Sequence, residues 1–174
     1  AAEREGLLLR LIAAELQVSE RDILDFDISL YDTTPACLLG LDNEFVSSGR
    51  LDDLSMVHAA VSALTASASD QRMTRVMAIF DNEETGSGTK QGAASPVLEH
   101  LCRRITAALG GGEEEYLRAV ASSFMISADD AHGIHPNYPE KHDPTNHPVL
   151  GGGPVIKINA NCKYMTDADS AAVF

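Results

Sequence analysis

Strand patterns and helix patterns alternate along the chain, and this alternation constrains the fold more than any other feature. "ILDFDISLY" (23–31) alternates apolar and polar residues, while "TRVMAIF" (74–80) and "PVIKINA" (154–160) are short apolar runs. Apolar residues recur at helical spacing in 3–16, in 51–64, in 95–109 and in 113–123. Strands that alternate with helices are typical of a layered α/β domain, which we predict, although periodicity alone leaves a helical 74–80 open.

Acidic residues follow the apolar run Val76–Phe80 directly, and two other segments share this design. The three segments are "DNEE" (Asp81, Glu83, Glu84), "RLDD" (Asp52, Asp53) and "SADDAHGIH" (Asp129, Asp130, His132, His135). Ligands of open α/β sheets bind beyond the carboxyl ends of the strands, so we expect two of these segments to converge there. Unpaired carboxylates cannot share a cleft at low cost, whereas divalent metals offset their charge. Oxygen and imidazole ligands suit zinc, or manganese or cobalt, and two metals sharing one carboxylate fit best.

Each segment also has an ordinary structural explanation. "DNEETGSGT" is compatible with a solvated turn after a strand, and aspartate at a helix start, as in "RLDD", is often a cap. Single histidines are often polar surface residues, and His58, His100, His142 and His147 lack an acidic neighbourhood like that of His132. At 95–109 we predict Ser95 as the helix cap and Pro96 as the first helical residue.

Net charge and cysteine usage exclude several classes of protein. The 174 residues carry 13 basic and 26 acidic side chains, a net charge of -13. Such a chain is a poor match for nucleic acid or an anionic membrane. Its three cysteines are isolated, with no C-x-x-C pair, which favours a reducing cytoplasm. No run reaches the ~18 apolar residues of a membrane span, and the first residues lack the basic character of a signal peptide.

Four sequence blocks carry a family resemblance from about Ile23 to the last residue. "DTTPACLLGLDNEFVSSGRLDDL", "FDNEETGSGTKQGA", "SADDAHGIHPNYPEKHDPTNHPVLGGGPVIKIN" and "KYMTDADSAAVF" resemble successive blocks of the aspartyl aminopeptidase family of cocatalytic zinc metallopeptidases. The resemblance implies a three-layer α/β sandwich with a mixed, largely parallel central sheet flanked by helices. It also implies a peptide substrate, a cytoplasmic enzyme and a homo-oligomer built from dimers.

The resemblance assigns metal and catalytic roles by position. Asp52 matches the aspartate that bridges two zinc ions, Glu84 matches a ligand of one zinc, and Asp129 matches a ligand of the other. Glu83 matches the general base that deprotonates the metal-bound water, so that the resulting hydroxide attacks the first peptide bond. Asp53 and Asp130 are departures, because the family usually has asparagine and an apolar residue at these two positions.

The resemblance also assigns substrate contacts. His132 matches a histidine that stabilises charge developing on the scissile carbonyl, and Lys157 and Tyr164 match further substrate-binding positions. A cation at Lys157 suits a peptide whose first residue is Asp or Glu, although relatives with neutral preferences exist.

The family pattern extends beyond these blocks. Family members add one zinc-ligand histidine from an N-terminal segment and one from a C-terminal segment, and neither motif occurs here. We therefore expect a central fragment that is inactive alone, with 1–30 as the end of an inserted dimerisation domain or connecting segment and 31–174 as catalytic domain. "DADSAAVF" reads as a helix start within a longer protein. Two rival hypotheses are a non-catalytic assembly or binding module that keeps the scaffold, and a single-metal protein using Asp129, His132 and nearby acids.

Overall fold

A computed structural model describes residues 5–68 and 73–174, and the chain divides into two compact units, Ala1–Gly49 and Arg50–Phe174. This division lies at a different point from the boundary predicted near residue 30. The division marks segments whose residues contact one another more than they contact the rest of the chain. It does not test where a domain begins, so the predicted domain boundary stays a prediction.

The first unit contains one helix and a small sheet. Helix α1 spans Leu7–Leu16, and Ala13 is its buried residue, which confirms the helix predicted within 3–16 as far as the described residues reach. The helix ends at Gln17, whose left-handed backbone (φ 56°) directs its N–H back to the Ala13 and Ala14 carbonyls.

The sheet of this unit was not predicted. Strands β1 (Cys37–Leu39) and β2 (Phe45–Ser47) pair antiparallel with Leu38 opposite Val46. Segment 23–31, predicted as a strand, has no paired partner in the described residues, and Leu24 and Leu30 are 96% and 99% exposed.

The second unit contains four helices in its described residues. They are α2 (Leu51–Ala66), α3 (Val97–Ala108), α4 (Glu113–Ala121) and α5 (Ala168–Val173). All four lie where the sequence predicts helix. The predicted start of α3 is wrong by one position: Pro96 is the N-cap, and no side chain caps the helix. Ser95 therefore precedes the cap, and its buried hydroxyl has no hydrogen-bond partner within the described residues.

Helices α3 and α4 pack through one arginine. The Arg103 guanidinium binds Glu99 at 2.8 Å, contacts Glu113, and lies 4.2 Å from the centroid of the Tyr116 ring. Tyr116 is the buried residue of α4. An ion pair combined with an arginine stacked on a buried ring fixes the two helices at their crossing.

The apolar runs 74–80 and 154–160 form neither helix nor paired strand within the described residues. A strand needs neighbours to satisfy its backbone groups, and the only sheet in the described part of the chain has two strands. Ala13 and Tyr116 are the only buried apolar residues of that part. The predicted helices are therefore present, while the three predicted strands do not form within the described residues. None of the described helices combines the length and apolar character needed to cross a membrane.

Candidate metal and peptide site

The first turn of α2 turns two aspartates out of the helical path. Arg50 at the N-cap has φ 62°, and Asp52 (φ -83°, ψ 111°) and Asp53 (φ -114°, ψ 21°) are not helical. The peptide bond between them is cis. No side chain makes a capping hydrogen bond at this helix start, so the alternative explanation of "RLDD" as a helix cap is wrong.

Asp52, Asp53 and Asp129 bring their carboxylates together. One oxygen of each lies within 4.8 Å of the others. Burial and the neighbouring Asp129 charge raise the pKa of Asp52. Burial, then the charges of Asp129 and Asp130, raise the pKa of Asp53, and one Asp53 oxygen is buried without a hydrogen-bond partner in the described residues. The cluster thus holds more negative charge than its own surroundings stabilise.

Lys157 is the cation of this cluster. Its Nζ donates to Asp129 Oδ2 at 2.6 Å and to the Asp130 backbone carbonyl at 2.8 Å. The hydrogen bond from Lys157 lowers the pKa of Asp129, although burial opposes it. Partial burial lowers the pKa of Lys157 itself, but the hydrogen bond and charge of Asp129 outweigh burial, so that pKa lies above its ordinary value. The pKa of Asp129 therefore lies below its ordinary value, whereas the pKa values of Asp52 and Asp53 lie above theirs.

Asp130 ties the two acidic segments together. Its carboxylate accepts a hydrogen bond from the Ser55 hydroxyl, and both carboxylate oxygens lie 2.8 Å from Ser55 Oγ. Because Ser55 lies in α2 just after Asp52, this contact holds the turn that carries Asp52 against the segment that carries Asp129.

Glu83 and Glu84 lie in a loop beside this cluster. The loop is closed by hydrogen bonds from the Asn82 side-chain amide to Thr89 Oγ1 at 3.1 Å and from the Gly86 N–H to the Asn82 carbonyl at 2.9 Å. The charge of Glu83 contributes to the raised pKa of Asp53, and that of Glu84 to the raised pKa of Asp52. Neither glutamate belongs to the group of carboxylates within 4.8 Å of one another in the described residues.

Two clefts meet at this site. The acid cleft, of about 330 Å³, is lined by residues that include Asp52, Asp129, Asp130, His132, Lys157 and Tyr164. The Lys157 Nζ lies 5.7 Å from the Tyr164 ring centroid. The histidine cleft, of about 410 Å³, is lined by His132, Gly133, His135, Tyr138, Lys141 and His142. Five of the seven residues that the resemblance singles out therefore line one cleft, and the other two, Glu83 and Glu84, flank the cluster in it.

The donor atoms suit a divalent metal. Close carboxylates of raised pKa and an unpartnered buried oxygen on Asp53 describe a site whose charge a cation would compensate. Carboxylate oxygens are among the ligands that zinc accepts. The residues present therefore fit a metal.

Two residues of the site, Ser55 and His142, were not predicted from the sequence. Asp53 and Asp130 were predicted as members of the acidic segments, although no metal or catalytic role was assigned to them. Ser55 carries no signal beyond its place in a helix. His142, treated as a histidine without a functional neighbourhood, lines both clefts. Its proximity to "SADDAHGIH" arises from a chain reversal that includes the short 3-10 turn Pro139–Lys141. Local sequence does not reveal such a reversal.

Comparisons with known proteins show which family and which proteins the chain is similar to. Residues 2–174 match the family described as aminopeptidase I zinc metalloprotease (M18). The chain is 50% identical over 172 residues to a probable M18 family aminopeptidase 2 of Clostridium novyi, covering 99% of this chain and 40% of that protein. It is 40% identical over 179 residues to a probable aspartyl aminopeptidase of Ricinus communis, covering 99% of this chain and 36% of that protein.

The fold of the chain is also similar to solved structures. The crystal structure of yeast aminopeptidase 1 superposes with a TM-score of 0.73 at 29% identity, covering 95% of this chain and 39% of that one. A chain in the cryo-EM structure of the Ape4 and Nbr1 complex gives a TM-score of 0.76 at 36% identity, covering 97% and 34%. The 174 residues thus span about two fifths or less of the relatives that they match.

Proposed function

Because the chain belongs to the M18 family of aminopeptidase zinc metalloproteases, we propose that it carries the central part of a catalytic site that removes the N-terminal residue from peptides. The observation that carries this proposal is the convergence of Asp52, Asp129 and Lys157 in one cleft, from segments far apart in sequence. An aminopeptidase of this kind needs carboxylates that bind the metal close to a cation that binds the substrate.

Two zinc ions, or manganese or cobalt at the same ligands, would be held by Asp52, Glu84 and Asp129. Such ions supply Lewis-acid polarisation of the carbonyl and a water that loses its proton near neutral pH. Glu83 and Glu84 flank the carboxylate cluster, which supports these roles.

The side chains of this chain perform the remaining steps. Glu83 accepts the proton of the attacking water and returns it to the departing amine. His132 donates a hydrogen bond to the scissile carbonyl oxygen as negative charge develops there. Lys157 and Tyr164 contact the first residue, and the ammonium of Lys157 favours an Asp or Glu side chain over a neutral one.

The scaffold of the whole protein follows from the same family membership. In this proposal, the apolar runs 74–80 and 154–160 belong to a mixed, largely parallel sheet in a three-layer sandwich. Residues 1–30 end an inserted dimerisation domain, and 31–174 are catalytic. The whole protein is a cytoplasmic homo-oligomer. The 174 residues alone are inactive, because the carboxylate group formed by their described part has no imidazole for either metal.

The decisive experiment is Glu83→Gln in the full-length protein, with metal content measured beside turnover of Asp- and Leu-based chromogenic substrates. We expect two bound ions per subunit, a preference for the Asp substrate, and loss of turnover of about a hundredfold or more in the variant. Normal turnover by a fully metallated Glu83→Gln protein would contradict the proposal. Metal near one ion per subunit would instead favour a single-metal protein.

A further inference from the structure

The histidine cleft differs in charge from the acid cleft beside it. Its lining residues include three histidines and Lys141 but no acid, within a chain of net charge -13. The two clefts share His132 and His142. An acid-free cleft next to a cluster of carboxylates suits an anionic ligand group.

The charge of Lys141 is not neutralised by an ion pair. No carboxylate in residues 5–68 or 73–174 lies within salt-bridge distance of its ammonium. Asp143, two positions away, is engaged in its own turn: its Oδ1 accepts hydrogen bonds at 2.8 Å from the Thr145 N–H, the Thr145 hydroxyl and the Asn146 N–H. Lys141 is therefore available to a ligand.

His135 adds a hydrogen-bond donor. Its Nδ1 accepts from the backbone N–H of Asn137 at 3.2 Å, and its ring lies tilted against Tyr138 with centroids 5.1 Å apart. A neutral imidazole whose Nδ1 accepts carries its proton on Nε2. The turn thus fixes one tautomer, and that tautomer presents an N–H group.

We propose that the histidine cleft binds a carboxylate located beyond the peptide bond that is cut. This inference rests on the proposed function, which places the first residue in the acid cleft and the scissile carbonyl at His132. The second residue must then lie past His132, where the histidine cleft begins. The carboxylate is either the side chain of an acidic second residue or the free terminus of a dipeptide, and the cleft volume of about 410 Å³ lies within the range of ligand pockets.

Two pairs of peptides separate these two sources of carboxylate. Asp-Glu-amide against Asp-Gln-amide tests the side chain, and Asp-Ala against Asp-Ala-amide tests the terminus. The quantity measured is the ratio of kcat/KM within each pair, using the full-length metallated enzyme. We expect the charged member to be preferred in at least one pair, through a lower KM and with kcat little changed, because the contact is remote from the reacting bond.

Lys141→Gln should reduce the kcat/KM preference for the charged peptide by about two- to fivefold, the range expected of an exposed ion pair. Lys141→Arg should retain that preference. The matched control is Arg104→Gln, which removes one positive charge from an exposed position of α3 outside both clefts. A kcat/KM ratio near one in both peptide pairs for the unmodified enzyme would overturn the assignment. An equal change of the ratio in Lys141→Gln and Arg104→Gln would overturn it as well. Failure to cleave any of these peptides would instead overturn the proposed function.

Discussion

Ser55 and Asp130 form a hydrogen-bonded pair, with Ser55 Oγ 2.8 Å from both oxygens of the Asp130 carboxylate. The two residues are 75 positions apart in sequence. Each lies next to a residue of the carboxylate cluster, Ser55 in the turn of Asp52 and Asp53, and Asp130 directly after Asp129. The pair therefore sets the spacing between the two acidic segments.

Replacing Ser55 with alanine should loosen this connection. Loss of a hydrogen bond to a charged acceptor that is partly exposed should reduce the free energy of unfolding by about 1 kcal/mol. The measurement is chemical unfolding of the full-length protein. Ser62→Ala is the control, since Ser62 lies on the same helix and its hydroxyl makes no hydrogen bond within the described residues. Equal losses from both substitutions would show that the Asp130 contact contributes nothing specific.

Lys157→Gln should change the titration of Asp129. The Lys157 hydrogen bond keeps the Asp129 pKa below its ordinary value, so the substitution should raise that pKa. A carboxyl with a depressed pKa stabilises the fold above the pKa it has when unfolded, and this contribution is lost as pH falls through the folded pKa. The substitution should therefore reduce stability at neutral pH and have little effect in strong acid. Carbon-13 NMR of labelled aspartates follows the titration directly, and an unchanged Asp129 midpoint would contradict the expectation.

Asp53→Asn should stabilise the metal-free protein at neutral pH. Burial and the charges of Asp129 and Asp130 raise the Asp53 pKa, so its stabilising contribution is fully present only below the ordinary carboxyl pKa and is lost as pH rises through the folded pKa. An asparagine cannot ionise and so removes the destabilisation caused by a negative charge at position 53. The melting temperature should therefore rise at pH 7 but not near pH 3. The control is Asp27→Asn, at an exposed position with no hydrogen-bond partner in the described residues. A similar rise in the control would point to net charge rather than to the cluster.

Arg103→Gln should weaken the packing of α3 against α4. The guanidinium has a raised pKa because of its hydrogen bonds to Glu113 and Glu99, and it also stacks on Tyr116. Its loss should lower the melting temperature, and added salt should narrow the difference by screening the ion pairs of the unmodified protein. Arg103→Lys should recover only part of the loss, because a lysine keeps the charge without the planar stacking. Arg104→Gln should leave the melting temperature nearly unchanged.

The sequence predicted the helices well because each has its own apolar spacing and end signals. Leu7–Leu16 and Glu113–Ala121 show this, the latter opened by three glutamates. The strands were predicted less well, since pairing depends on partners elsewhere in the chain. The strand pattern of 23–31 is unpaired, while Cys37–Leu39 and Phe45–Ser47 pair across a short turn.

The residues of the site were likewise predicted where a local motif identifies them and missed where they depend on contacts between distant segments. Asp52 and Asp129 were assigned by their positions in matched motifs, and the structure places their carboxylates together. The Ser55–Asp130 pair and the place of His142 in both clefts depend on how separate segments meet. No local pattern encodes that meeting.

Under the proposed function, the double contact of Lys157 would couple metal binding to substrate binding. One ammonium holds both the Asp129 side chain and the Asp130 carbonyl. Under the proposed function, a metal ion held by Asp129 would compete with this ammonium, and an acidic substrate that binds the ammonium would leave Asp129 open to the metal. Metal and acidic substrate would then be thermodynamically linked, each raising the affinity of the other by the same factor. An enzyme that has lost its metal would thereby also lose its means of recognising the substrate, since the lysine would return to the aspartate.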